Sequence, residues 1–360
     1  MAGTFTASQI WQLTPPAVGC DFLPLRHAAQ SLLDGSSIYR DPAFVYPPAA
    51  AVALLPAAVA TETTAFLAWL VIIFAALTTT AVLITRAAAA DVRRYVFPAT
   101  LMVLLGGVVA QRSLYAGNLS AVLAPVAVAV LLAFHRGRWL LGCTVLAASL
   151  LVKPLLAPLI LIPLLARRWR PFARAMLPAG ALLLLSLVVV PGGTRFPAVL
   201  MHSLAGSNLH GTEAANNLSL RGWVEAHHLH PAIGVAASVA VVAAAVLRGR
   251  EVRDPTWLGS VLLLTTFLAG AIGEANYLFA AAAAAILHAV VSRPPRLGDR
   301  LACLPGLGIM ALPIQPDAAT AQTWLVIGQI LLLGALLWRI PDPRSPATTR
   351  RATSSASAEV

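Results

Sequence analysis

Lysine is nearly absent from this sequence: Lys153 stands alone, and arginine supplies the other 24 of the 25 basic residues. Acids are few, at 14, and charged residues together make up 11% of the chain. A soluble domain carries about a quarter. With 59% of its 360 residues hydrophobic, the chain does not fit an ordinary water-soluble fold. Large soluble chains divide into domains and do not bury such an excess in one core. Cysteine is also scarce. Cys20, Cys143 and Cys303 are odd in number and lack metal-ligand spacing. Two of them lie within apolar runs, where a thiol serves as a small buried hydrophobe. No cleavable signal peptide stands out, since residues 1–20 are mixed and contain Pro15-Pro16. Walker, dinucleotide, zinc and nucleophile-elbow motifs are all missing.

What the sequence does have is a series of apolar runs from about Thr64 to Arg339. Runs of that length make lipid the expected solvent and predict an all-α polytopic membrane protein. The spans read as roughly 64–86, 95–111, 118–134, 139–152, 154–166, 173–190, 231–247, 256–273, 276–291, 301–315 and 322–339, about 11 transmembrane helices. Several fall short of the ~20 residues of a full crossing, which predicts broken or tilted helices.

The net charge of +11 could suggest nucleic acid, but its distribution argues otherwise. Threading the spans alternately, with the first running outside to inside, gathers the arginine clusters on the cytoplasmic side. These are Arg86/Arg93/Arg94, Arg136/Arg138, Arg167/Arg168/Arg170/Arg174, Arg248/Arg250/Arg253, Arg293/Arg296/Arg300 and Arg339/Arg344/Arg350/Arg351. Only Arg26, Arg40, Arg112, Lys153, Arg195 and Arg221 remain outside. That is the positive-inside pattern, with no nucleic-acid motif to set against it.

Three regions follow. Residues 1–46 form an outward-facing N-terminal segment, 47–339 a membrane domain with an outer loop at 191–230, and 340–360 a polar, disordered cytoplasmic tail. An outward-facing start with no preceding span leaves two readings, an upstream helix missing from this chain, which is preferred, or a translocated N-terminus. Pro47–Ala60 is apolar but too short to cross untilted, so it dips into the outer leaflet or packs in the bundle. The alanine runs Ala87–Ala90 and Ala280–Ala285 read as close-packing helix faces.

Ionisable groups at the membrane's outer edge are costly and need a reason. Asp21 precedes an amphipathic stretch, Leu25–Leu33, expected to lie along the outer surface. A carboxylate there serves as a general base toward a hydroxyl group, or simply caps a helix. Lys153 sits between apolar runs beside helix-breaking Pro154. A lone cation there suits a phosphate, and equally suits snorkelling to ordinary lipid. Arg112, Asn118 and the loop Gly211-Thr212-Glu213…Asn216-Asn217-Leu218-Ser219-Leu220-Arg221-Gly222 add polar groups at the same face, as does Glu274, a second candidate acid. His227, His228 and His230 are too loosely spaced, without an acid pair, to read as a metal site. An outward-facing enzyme has no nucleotide supply, so a lipid-phosphate-linked donor fits better.

Asp21-Phe22, Tyr39 after Gly35-Ser36-Ser37-Ile38, Tyr46-Pro47-Pro48, Asn118 opening a span, and Lys153-Pro154 followed by Arg167-Arg168-Trp169-Arg170 resemble, in that order, glycosyltransferase family 87. The resemblance runs from Asp21 to about residue 290. Leu151–Arg170 and the run Gly211-Thr212…Asn217-Leu218-Ser219-Leu220 are similar to the actinobacterial α-(1→3)-arabinofuranosyltransferase branch. Gly273-Glu274-Ala275-Asn276-Tyr277 departs from the Trp/His-His pattern of the mannosyltransferase branch.

The resemblance implies a GT-C-like bundle whose first family helix is missing here, and a polyprenyl-phosphate-sugar donor, foremost decaprenyl-phospho-arabinose. It implies Asp21 as the general base, with Lys153 and Arg112 or Arg221 on the donor phosphate. Tyr39, Tyr46, Asn118, Asn217, Glu274 and Tyr277 are the expected sugar and acceptor contacts. No cofactor is expected, and no residues are assigned to a metal. The acceptor is a glycan of the cell envelope, and the location the plasma membrane with the C-terminus cytoplasmic. Polyprenyl-phospho-mannose transfer is the alternative within the family. A transporter would instead need paired repeats and mid-membrane acids, and a non-catalytic scaffold would tolerate loss of Asp21.

Overall fold

The computed structural model describes residues 18–204, 217–249, 252, 254–271, 273–292, 302–311 and 318–338. Among these the chain is helical, and its only β feature is an isolated bridge between Asn217 and Glu274. The helices are α1 (Phe22–Leu33), α2 (Pro48–Ala53), α3 (Leu55–Val59), α4 (Glu62–Ala87), α5 (Arg93–Gly106), α6 (Val108–Ala116), α7 (Ser120–His135) and α8 (Trp139–Val152). A 3-10 segment, Pro154–Ile160, leads to α9 (Leu161–Leu165), α10 (Trp169–Val189) and α11 (Phe196–Leu204). Then come α12 (Leu220–Ala226), α13 (Pro231–Gly249), α14 (Pro255–Ala269), α15 (Leu278–Val291), α16 (Leu304–Ala311) and α17 (Ala318–Trp338).

The core centres on α7, which packs against α4, α8 and α15, with α14 behind. Small residues let these backbones approach closely. Ala121, Ala124, Ala127 and Val128 of α7 are fully buried, as are Ala280, Ala281 and Ala283 to Ala285 of α15. The second alanine run is therefore a packing face, as expected. The first is not: α4 stops at Ala87, and Ala89 and Ala90 are exposed in the turn that follows. The Arg93 guanidinium donates to the Ala88 carbonyl (3.2 Å) and helps close that turn. Cys143 and Cys303 are buried and Cys20 is exposed.

α4 begins at Thr61, whose side chain accepts from the Thr64 backbone N–H. It buries one stripe, Ala65, Trp69, Ile73, Leu77, Ala81 and Ile84, at helical spacing. The opposite face exposes Leu67, Val71 and Phe74. α10 goes further: Ala175 is its one buried residue, while Leu177, Leu184 and Val188 lie bare. Such apolar exposure suits a lipid surround and would be unstable in water.

Three helices, α4, α10 and α13, are long and apolar enough to cross a bilayer, and α5 with α6 forms a pair bent by 66°. Several other apolar helices are shorter. α7, α8, α14 and α15 have 16, 14, 15 and 14 residues, about 21–24 Å each at 1.5 Å per residue. Their shortness comes from breaks in the chain, at Lys153-Pro154 after α8 and at Gly270–Tyr277 between α14 and α15. The span read at 154–166 is a 3-10 segment plus the five-residue α9. Of the span read at 301–315, the described helix is Leu304–Ala311. An apolar helical bundle is thus observed, while the count of about 11 crossings is not reproduced by helix length.

The amphipathic stretch forms α1, which buries Phe22, Leu25, Ala28 and Ala29 against α2 and α3. Those two are the kinked halves of the short apolar segment before α4. Most of the outer loop's described residues are helical, as α11 and α12. Gly211, Thr212, Glu213 and Asn216 lie outside the described residues, as do residues 1–17 and the tail.

Helix direction sorts the two ends of the bundle. α7 starts beside Asn118 and ends at Arg136, and α8 starts at Arg138 and ends at Lys153. At the arginine-rich end, Asp254 opens α14, and its carboxylate lies 3.7 Å from His135 and 3.4 Å from His288. Burial alone would raise its pKa, but the two histidines and the Thr256 N–H outweigh that and hold the carboxyl well below the usual range.

Candidate active site

The site is built from chain breaks at the end opposite the arginine turns. Asp21 is placed by its neighbours on both sides. Its backbone N–H donates to the Ala116 carbonyl (2.9 Å), and Gly19 N–H to the Tyr115 carbonyl (2.8 Å), pinning this stretch to the end of α6. Phe22 then packs on Phe66 and Trp69, with ring centroids 5.8 and 5.7 Å apart.

Gly117, left-handed at φ 67°, lets α6 stop directly beneath that cluster. Its carbonyl accepts from the Trp69 indole (2.7 Å). A Cβ there would come within 2.8 Å of Phe22 and 2.9 Å of Phe66. Gly117→Ala should therefore destabilise the protein by about 3 kcal/mol, from left-handed strain plus overpacking. A drop in the thermal unfolding midpoint of the detergent-solubilised protein checks this.

Asn118 follows immediately, 2% exposed. Its Oδ1 accepts from the Ser120 backbone N–H (2.7 Å), which fixes the amide orientation and starts α7. The Nδ2 side is thereby aimed at Asp21 and donates to Oδ2 (2.7 Å). Lys153 completes the chain. Proline disfavours helical backbone in the residue before it, so Lys153 leaves α8 in an extended conformation, φ −151° and ψ 119°. Its ammonium donates to Ser120 Oγ (2.7 Å) and Asn118 Oδ1 (3.4 Å). It also lies 5.2 Å from the Tyr46 ring centre and 5.1 Å from that of Tyr277, a cation–π seat on two sides. Asp21 and Glu274 are the carboxylates whose charge reaches it.

Two further expected residues stand behind this group. Tyr39 donates its hydroxyl to the Tyr46 carbonyl (2.8 Å) and packs on Phe44, which packs on Tyr46. Asn217 holds the strand-like turn that carries Glu274: its Oδ1 accepts from Gly273 N–H (2.8 Å) and its Nδ2 donates to the Ala271 carbonyl (2.9 Å). The Leu218 N–H bonds to the Gly273 carbonyl, and Gln322 donates to the Asn217 carbonyl (2.6 Å). Both side chains brace the neighbours of Lys153.

Asp21, Tyr46, Asn118, Lys153, Glu274 and Tyr277 thus come together, with Tyr39 and Asn217 supporting them. Arg221 is exposed on α12 and makes no hydrogen bond or ion pair among the described residues. The Arg112 side chain lies outside the described residues. His227 packs tilted against Trp223, ring centroids 4.5 Å apart, and bonds its carbonyl (2.8 Å) at the end of α12.

Ser120 is the residue that sequence reading missed. A signal for it existed. The tripeptide Asn-Leu-Ser occurs at 118–120 and again at 217–219. In both, the asparagine Oδ1 accepts from the serine N–H at a helix start, 2.7 and 3.1 Å. In both, the asparagine Nδ2 reaches across the chain, to Asp21 in one case and to Ala271 in the other.

Comparison with known proteins bears on the family. Residues 44–270 match glycosyltransferase family 87. That range includes Tyr46, Asn118, Lys153 and Asn217, while Asp21 precedes it and Glu274 and Tyr277 follow it. The chain is also similar to the α-(1→3)-arabinofuranosyltransferase of Corynebacterium glutamicum, 24% identical over 278 residues. That match covers 72% of this chain and 65% of the relative's length. The resemblance carried by the scattered site residues and the match over most of the chain point to one family: this protein belongs to glycosyltransferase family 87.

Proposed function

We propose that this protein is a membrane glycosyltransferase that moves D-arabinofuranose from decaprenyl-phospho-arabinose to a cell-envelope glycan, by inverting single displacement at the non-cytoplasmic face. The observation that carries this reading is the linked group Asp21–Asn118–Lys153, with Glu274 in range, at the bundle end farthest from the arginine turns. By the positive-inside rule those turns are cytoplasmic, and about 21 Å of α8 separates them from Lys153. The same reasoning supports a cytoplasmic C-terminus, and a plasma-membrane location belongs to the proposal through its cell-envelope acceptor.

Asp21 Oδ1 accepts no hydrogen bond among the described residues and is open to an acceptor hydroxyl, while Asn118 holds Oδ2. In the transfer, the acceptor oxygen bonds the anomeric carbon from the face opposite the phosphate. The anomeric C–O bond to phosphate breaks with its electron pair going to the phosphate oxygen, and the hydroxyl proton passes to Asp21. One inversion turns a β-linked donor into an α-linked product. Lys153 has three N–H donors, of which Asn118 and Ser120 take two. The third is left for the leaving phosphate, whose growing charge it offsets. Arg221, and Arg112 on α6, are second phosphate contacts in this proposal. Tyr46, Tyr277 and Glu274 line the sugar's approach.

Arabinofuranose ranks ahead of mannose because the similar Corynebacterium protein is named for that sugar. The test gives membranes containing this chain a radiolabelled donor, decaprenyl-phospho-arabinose or polyprenyl-phospho-mannose, with a short arabinan acceptor. Label from the arabinose donor alone is the expected result. Label from mannose alone moves the protein to the sister branch, and label from neither rejects the enzyme reading.

A further inference from the structure

Two turns at the arginine-rich end of the bundle lie side by side. α7 passes to α8 through Arg136-Gly137-Arg138, and α9 passes to α10 through Ala166-Arg167-Arg168. They close with the same backbone pattern. Gly137 N–H bonds Phe134 O (3.0 Å) and Arg138 N–H bonds Ala133 O (2.8 Å). Correspondingly, Arg167 N–H bonds Leu164 O (3.0 Å) and Arg168 N–H bonds Pro163 O (2.8 Å).

The pattern needs a left-handed residue, which is Gly137 (φ 73°) in one turn and Arg167 (φ 54°) in the other. Glycine takes that conformation freely and arginine is strained in it. Position 167 therefore holds strain that a glycine would remove, and what it keeps in return is a guanidinium. The two turns are joined by Arg168, which lies 5.3 Å over the Trp139 ring, itself stacked on Phe134 at 5.2 Å.

The charges here are unbalanced. Arg136, Arg138, Arg167, Arg168, Arg170 and Arg174 are all exposed, and none makes an ion pair among the described residues. Arg170 and Arg174 are four apart on α10, where like charges repel. No Asp or Glu occurs between Asp91 and Glu213. Asp254 reaches this end but is occupied by His135 and His288. Alongside stand bare apolar side chains: Leu140 is 48% exposed, Leu165 64% and Trp169 58%.

We propose that these paired turns form a binding site for the headgroup of an anionic phospholipid. Its phosphate is held by Arg167, Arg168 and Arg138, and its acyl chains lie along Leu140 and Leu165. Strain at Arg167, repulsion within α10 and the lack of a countercharge all call for an anion from outside the chain. Arginine's planar fork matches phosphate oxygens in pairs, and the apolar flank selects a lipid over a free ion. The site is independent of the transfer reaction.

Native mass spectrometry of the full chain, with phosphatidylglycerol, phosphatidylcholine or inorganic phosphate added, tests this. Phosphatidylglycerol should be retained preferentially. The pair Arg167→Gly with Arg168→Gln removes two charge-assisted contacts and should weaken its retention at least about tenfold, the scale of losing even one. Arg167→Gly alone should raise the lipid-free unfolding midpoint while weakening retention. Arg138→Gln, at the third arginine holding the phosphate, serves if the first pair does not fold, and Arg86→Gln with Arg94→Gln, at another arginine turn, should leave retention unchanged. Equal retention of phosphatidylcholine, an unaffected double variant, an equal loss in the Arg86 and Arg94 control, or retention of phosphate as strong as that of the lipid would overturn the proposal.

Discussion

Asp21→Asn should lower sugar transfer about a thousandfold, within the range contributed by a positioned general base, and leave the fold intact. Asparagine has the same shape, and its oxygen can accept from Asn118 Nδ2 as the Asp21 carboxylate does at 2.7 Å. The bond from the Asp21 backbone N–H to Ala116 is untouched by the change. What is lost is the capacity of the free oxygen to take a proton. Transfer from the radiolabelled donor, measured beside the unfolding midpoint, separates the two effects. Full activity at an unchanged midpoint would remove Asp21 from the role of base.

The second large effect is expected at Lys153. Lys153→Met keeps the stem and deletes the charge, leaving Asp21 and Glu274 without the one cation packed between Tyr46 and Tyr277. Breaking a buried ion group leaves the remaining charge uncompensated and costs about 3 kcal/mol or more. Asn118 Oδ1 and Ser120 Oγ also lose a donor. Transfer should fall at least about a hundredfold, the scale of losing one charge-stabilising donor in a reaction site.

A second change distinguishes structure from chemistry. Adding Glu274→Gln removes one of the two carboxylates and should return most of the lost stability, read as the unfolding midpoint, while transfer stays low. If stability and transfer recover together, Lys153 balances charge and does no more. If neither variant loses transfer, the donor phosphate is held elsewhere.

Much of the site was legible because local chemistry placed it. Proline after Lys153 forces a break in α8, so a cation there had to sit at a helix end. Asp21 before an amphipathic stretch, and Glu274 between two apolar runs, were legible for the same reason: charge interrupts an apolar pattern where a span stops. Burial of Cys143, and of the alanine face on α15, followed from the apolar runs that hold them.

The roles of Tyr39 and Asn217 were not legible in that way. Both have the chemistry of sugar contacts, and both are engaged with backbone groups that they meet only across the fold. Ser120 was overlooked because a serine in an apolar span is ordinary. Its meaning depends on Lys153, 33 positions later, reaching back to it. Helix length leaves the count of about 11 crossings unconfirmed, since among the described residues three helices are long enough to cross alone and the other apolar helices are shorter or bent. Hydropathy counts apolar residues, and it carried the span read at 256–273 past Ala269, where α14 stops.

Reading the residues in order was enough for the membrane character, the helical class and the family pattern. Each of these rests on composition, on period, or on short motifs whose residues are neighbours in the chain. Only the tertiary structure decided which polar side chains touch, which brace others, and that Arg167 holds a strained backbone beside the Trp139–Arg168 stack. Those facts depend on helix packing that brings distant turns together, and nothing in the local spacing of residues encodes that.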